Sequence, residues 1–219
     1  MRVTPRLRGP LAVRLPLLVF GLFVFATGIV ALLESGLGLS PWDVLHQGLA
    51  ERTRLSFGEA NIAVSILVLA IAWMLGARVG IGTLANAFLV GAFVQLLTGI
   101  ESISALSDRG LGLRIALLAI GIALMGIGTA IYLGAGLGAG PRDSLMVVGA
   151  ERTGLRIGVV RGALELAALA VGFALGGTVG FGTVAFALLI GPAVECAFWL
   201  LQRASLARPA VNSGSVVLS

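Results

Sequence analysis

The sequence predicts an all-α integral membrane protein of six transmembrane helices. They form two inverted three-helix repeats, each with a short Pro-initiated helix after its first span. Three observations predict this. The 219 residues are 58% hydrophobic and 11% charged, with mean hydropathy +1.06, whereas a soluble domain carries about 25% charged residues. The apolar residues fall into six runs, Leu15–Leu33, Glu59–Leu75, Ile81–Leu97, Ile115–Leu133, Val159–Leu175 and Phe181–Leu201, each near the ~17–25 residues that cross a bilayer as a helix. Finally, residues 36–91 recur as residues 136–191, at a constant offset of 100 and without a gap. GLGLSPWDVLHQGLAERTRLSFG from Gly36 is answered by GLGAGPRDSLMVVGAERTGLRIG from Gly136, and GARVGIGT from Gly76 by GGTVGFGT from Gly176.

Residues 1–14 form a basic N-terminus. The apolar run that follows is longer than the ~7–15-residue core of a signal peptide, and no A-x-A cleavage site follows it. It also pairs with the internal fourth run at the same offset: Arg14 with Arg114, Gly21 with Gly121, Gly28 with Gly128. It is therefore a retained span. Spans one to three occupy residues 15–100, a linker covers 101–114, spans four to six occupy 115–201, and 202–219 is a loose polar tail. Three spans per copy is an odd number, so consecutive copies enter the membrane in opposite senses.

Net charge is +5 and every basic residue is Arg. Of the 15, only Arg52, Arg54, Arg109 and Arg114 fall outside when the N-terminus is inside. That bias predicts a plasma-membrane protein with both termini cytoplasmic. The Arg residues lie between apolar runs, not in Arg-and-aromatic stripes, so no nucleic-acid partner is expected. A single Cys (Cys196) and a single His (His46) preclude an intrachain disulfide and a Cys/His metal cage. Neither metal nor cofactor is expected, and the scarcity of acid–base groups argues against an enzyme. Cys196, within an apolar run, is expected to pack.

In each copy the first span ends in Gly-Leu-Gly, followed by Pro and, two residues later, Asp. Pro suits the first helical position, where its missing N–H has no partner in any case. Ser40 and Asp43 have capping-box spacing; Gly140 takes the cap position before Pro141 and Asp143. Short helices therefore start at Pro41 and Pro141 and run to about Ala50 and Ala150. Two arrangements stay open. In one, the helices lie at the membrane interface and the Asp residues only cap them. In the other they are re-entrant, with N-termini pointing at the midplane from opposite sides and Gly36, Gly38, Gly136 and Gly138 as unwound backbone. Helix N-termini attract anions, and unwound carbonyls attract cations. The candidate pathway or binding residues are accordingly Gly36, Gly38, Pro41, Asp43, Gly136, Gly138, Pro141, Asp143 and Glu165.

The G-x-G-T at Gly80–Thr83 and Gly180–Thr183 reads as a tight hairpin before a helix, since it lacks the strand and Gly spacing of a nucleotide loop. Glu165 and Arg161, four apart, suit an ion pair on one helix face. Ionisable residues within spans are functional candidates by default; for Glu195 and Arg161 the competing reading is snorkelling at the inner interface. Gly121, Gly126, Gly128, Gly172 and Gly176 allow close helix packing.

The G-L-G-x-x-P-x-D run within GLGLSPWDVLHQGL, with T-x-L-S-x-G at Thr53–Gly58, resembles the YczE/YitT family of bacterial multi-pass inner-membrane proteins. The likeness covers most of residues 15–200. It implies an integral plasma-membrane protein of about six spans and supplies no substrate. The second copy departs from the run at Arg142, in place of Trp42, and Met146, in place of His46, which confines any role of Trp42 or His46 to one half.

Two function classes follow. The repeat with an odd span count points to a transporter or channel for a small solute. The near absence of buried charge in the first half points instead to a non-transporting accessory or scaffold protein. Expected partners are the lipid bilayer, a small solute in the first case, and a second copy or a membrane partner in the second.

Overall fold

A computed structural model describes residues 6–7, 9–104, 106, 110–203 and 207–208. The six spans are helices α1 (Leu11–Ser35), α3 (Phe57–Met74), α4 (Ile81–Thr98), α6 (Leu111–Gly134), α8 (Ile157–Ala174) and α9 (Phe181–Arg203). Between them lie α2 (Pro41–Arg52), α5 (Glu101–Ser104) and α7 (Pro141–Thr153). A two-residue antiparallel ladder pairs β1 (Arg6–Leu7) with β2 (Ala207–Arg208). Observed spans begin up to four residues before the apolar runs, because caps and interfacial residues join the helix ahead of the hydrophobic stretch. The helix α5 and the early start of α6 take up much of the segment read as linker. Arg2, Arg8, Arg109 and most of the 202–219 tail lie outside the described residues.

The core is the α1–α6 pair. Leu18, Leu22, Phe25, Ile29 and Leu32 of α1 pack with Leu118, Ile122, Met125 and Tyr132 of α6, all at most 5% exposed. The two helices run antiparallel with backbones in contact. A Cβ on Gly28 would lie 2.8 Å from the Gly121 carbonyl oxygen, and one on Gly128 would lie 2.7 Å from that of Gly21. Larger residues would force the helices apart, the usual reason for small residues at membrane helix crossings. Gly126 lies against Ala193 and Gly172 against Leu45, as the close-packing expectation required. Gly176 does not pack: it has φ 104°, and no atom lies within 4 Å of where its Cβ would stand. It serves the turn after α8, where its positive φ is the requirement.

Contacts between the halves are reciprocal. Arg14 Nε and Nη2 donate to the carbonyls of Ala135 and Gly136 at 2.6 and 2.9 Å, and Arg114 donates to Ser35 and Gly36 at 2.7 and 2.8 Å. Arg52 Nε donates to Leu175 O, and Arg152 Nε to Leu75 O. The Gly182 N–H donates to Leu37 O at 2.7 Å, and the Gly82 N–H to Leu137 O at 2.9 Å. Each pair maps on its counterpart by exchanging the repeats, as a two-fold arrangement of equivalent surfaces requires. The Arg residues satisfy the carbonyls left over at helix C-termini, with charge favourable to the helix dipole.

Candidate functional site

Each short helix starts inside the protein and ends at its surface. Ser40 is fully buried and Pro41, Trp42 and Asp43 are buried, whereas Glu51 and Arg52 are exposed; likewise Pro141 is buried and Glu151–Thr153 are exposed. Trp42 packs with Val64 and Val68, halfway along α3, and with Ala168 of α8. The short helices are therefore not laid on the outside of the bundle. Their burial follows from local sequence. Pro41 and Pro141 need no N–H partner at N1. The Asp43 N–H donates to Ser40 Oγ at 3.3 Å, and the Ser40 hydroxyl donates in turn to Asp43 Oδ2. Asp143 accepts from the Tyr132 hydroxyl at 3.3 Å.

The two N-termini meet. The Arg142 guanidinium lies 5.8 Å from the ring centre of Trp42, its counterpart in the other repeat, and 5.8 Å from that of Phe25. Such positions suit cation–π attraction. Arg142 makes no hydrogen bond or ion pair with the described residues. Beside it lies a cavity of about 330 Å³, at the small end of the range for small-molecule sites. Phe25, Met125, Met146, Phe186 and Ile190 give it an apolar wall; Ser40, Thr129, Tyr132, Arg142, Asp143, Arg161, Glu165 and Glu195 give it polar groups. The Arg161–Glu165 ion pair forms as expected, Nε to Oε1 2.8 Å, and is partly exposed. Glu195 is exposed at the rim.

Of the sequence-derived candidates, Pro41, Asp143 and Glu165 line this cavity. Pro141 lines a second gap of only about 10 Å³, with Trp42, His46, Asn61, Ser65 and Asn86. Asp43 is buried against Ser40 and His46 and lines neither. Gly36, Gly38, Gly136 and Gly138 have positive φ as unwound backbone should, but they also line neither. Their loops are tied to the rest of the fold: the Gly36 and Gly136 carbonyls accept from Arg114 and Arg14, and Gly38 and Gly138 pack against Thr183 and Thr83. Carbonyls already engaged by a guanidinium are poor ligands for a cation.

Two other expectations are corrected. Cys196 is exposed instead of packed, because its face of α9 has no protein neighbour. The first half also holds buried acids, Glu34 at 7% and Asp43 at 1% exposure. A carboxylate read singly in sequence gives no account of what covers it. Tyr132 joins the site without having been a candidate; its one trace in sequence is that a polar-tipped Tyr stands where the first copy has Leu32. Phe25 gives no signal, being one apolar residue among many.

These features define a multi-pass helical membrane protein in which two copies of one motif enclose a cavity. The chain belongs to a family of unknown function (DUF6198), whose model matches residues 12–198. It is 41% identical over 179 residues to an uncharacterized protein of Haemophilus influenzae, covering 82% of this chain and 80% of that one. It is 37% identical over 174 residues to the uncharacterized membrane protein YczE of Bacillus subtilis, covering 78% and 79%. Similarity to the uncharacterized protein YyaS of Bacillus subtilis is 26% over 189 residues, covering 86% and 94%. No solved structure matches.

Proposed function

We propose that this protein is a transporter for a small organic anion, with its site in the 330 Å³ cavity between the repeats. The observation that carries this reading is Arg142: a guanidinium at the meeting point of two helix N-termini, held by aromatic faces and without a hydrogen-bonding partner among the described residues. Its donors favour a carboxylate or similar anionic group, whereas the two helix N-termini already hold Asp43 and Asp143 in their first turns and add little; the Met and aromatic walls favour an apolar body. Two inverted repeats with discontinuous helices meeting between them are the common plan of secondary transporters. The Arg distribution favours both termini at the cytoplasmic face of the plasma membrane, and the β1–β2 pairing supports a common side. In that orientation α2 enters from outside and α7 from inside.

Reconstitution into proteoliposomes with a panel of labelled small organic anions tests the reading. Uptake of at least one solute is expected, lost in Arg142→Gln. Absence of uptake across the panel, or undiminished uptake by Arg142→Gln, would overturn it.

A further inference from the structure

The two repeats differ in how their last two spans pack. In the first half α3 and α4 are locked together: a Cβ on Gly58 would lie 2.4 Å from the Gly91 carbonyl oxygen, and one on Gly91 2.5 Å from the Gly58 carbonyl oxygen. Their counterparts Gly158 and Gly191 have no atom within 4 Å of that position. Correspondingly, 39% of the most apolar stretch of both α3 and α4 is buried, against 17% for α8 and 11% for α9.

The cavities reflect this difference. Asn61, Val64 and Ser65 of α3 line the small gap, while Arg161, Leu164 and Glu165 of α8 line the large cavity. Asn86 and Val90 of α4 are answered in the same way by Phe186 and Ile190 of α9. All are repeat counterparts. Trp42 and Arg142 line both. The small gap is thus the repeat counterpart of the large cavity, at about 10 against about 330 Å³.

The small gap also leaves a buried polar atom unmatched. His46 Nδ1 lies 3.1 Å from Asn61 Nδ2 and 3.4 Å from Asp43 Oδ1. One ring nitrogen is shared between them, and Asn61 Oδ1 has no hydrogen-bond partner among the described residues. Asn61 is 3% exposed and forms part of the gap's wall. A buried acceptor without a partner is unfavourable, and opening this gap would give it room for one.

We infer that the collapsed gap at Asn61, Ser65 and Asn86 is the second half-site of the same anion pathway, opened when α3 and α4 part and α8 and α9 close through Gly158 and Gly191. The inference rests on the transport reading for its solute, but not for its geometry. Trp42 and Arg142, common to both half-sites, are the solute contacts retained through the exchange. Neither closed pair needs a new sequence: each repeat already holds the Gly residues that let its two helices touch. Such exchange of states between inverted repeats gives alternating access, and the collapsed half-site is a minor-state pocket.

Spin-label distances test this without a known solute. Ala63 and Ala163 are exposed counterparts, as are Leu96 and Cys196. One protein carries labels at Ala63→Cys and Leu96→Cys with Cys196→Ser, and another at Ala163→Cys and the native Cys196. In lipid bilayers each pair is expected to show two distances, with the minor distance of one pair equal to the major distance of the other. Gly191→Ala, whose methyl group would meet the Gly158 carbonyl in the closed arrangement as one on Gly91 meets that of Gly58, is expected to remove the minor distance of the second labelled protein. A single distance for each pair, or a minor distance in the second labelled protein that Gly191→Ala leaves unchanged, would overturn the exchange even if uptake is measured. Paired, correlated distances in a protein without uptake would support the exchange and count against the transport reading alone.

Discussion

Substituting Ala at Gly91 and at Gly191 adds the same methyl group at repeat-equivalent positions, yet the structure predicts opposite outcomes. At Gly91 the new Cβ meets the Gly58 carbonyl oxygen and Ile62 Cγ1, both at 2.5 Å. Backbone cannot swing away as a side-chain tip can, so α3 and α4 must separate. Overpacking of this kind destabilises by about 1–3 kcal/mol. At Gly191 nothing lies within 4 Å, and replacing Gly by Ala in a helix gains up to about 1 kcal/mol from propensity. Gly91→Ala gains the same propensity, so the two variants should differ by the overpacking alone, roughly 1–3 kcal/mol, which is several degrees in midpoint for a chain of this size at about 2–4 °C per kcal/mol. Thermal unfolding in one detergent, followed by tryptophan fluorescence, reads the difference. Gly91→Ala should melt below wild type and Gly191→Ala at or above it. Equal midpoints would refute the assignment of a closed first half and an open second half. The same reasoning predicts a functional reversal for Gly191→Ala. A methyl group that is harmless in this state obstructs closure of α8 on α9, so uptake should fall although stability does not.

Other predictions follow from the site and from the ties between repeats. Arg14→Ala and Arg114→Ala should each lower stability by about 1.5–3 kcal/mol, since each removes charge-assisted bonds to helix-end carbonyls; their effects should add, because the two lie at opposite ends of the α1–α6 pair, and thermal unfolding of the double variant checks this. Ser40→Ala should destabilise by about 2–4 kcal/mol, the loss of an N-cap plus an unpaired buried carboxylate oxygen on Asp43, seen as a lower midpoint. Arg142→Lys keeps the charge but loses the planar fork and the aromatic stacking; uptake should be weakened more in KM than in kcat. Trp42→Ala should reduce uptake in either direction, because Trp42 lines both half-sites.

Particular residues show how much of the molecule is legible in sequence. Pro41 and Pro141 mark helix starts because proline at N1 is a local preference. The Arg161–Glu165 pair follows from helical spacing alone. The pairing of Ser40 with Asp43 is equally local, although Asp43 reaches the Ser40 hydroxyl and not its backbone N–H. Cys196 and Gly176 depart from expectation for one reason: whether an apolar or small residue is covered depends on a neighbouring helix that local pattern does not name. Arg142, visible in sequence only as a departure from Trp42, becomes the centre of the site once the fold sets those two counterparts face to face.

By itself, then, the sequence determined the number of spans, the duplication and the starts of the two short helices, because hydropathy, periodicity and capping act over a few residues along one chain. Only the tertiary structure decided that the short helices are buried and meet at Arg142 and Trp42. It also decided that Gly58 and Gly91 touch while Gly158 and Gly191 do not. The two Gly pairs stand in nearly the same local sequence, so which pair of helices packs depends on long-range contacts that no local pattern records.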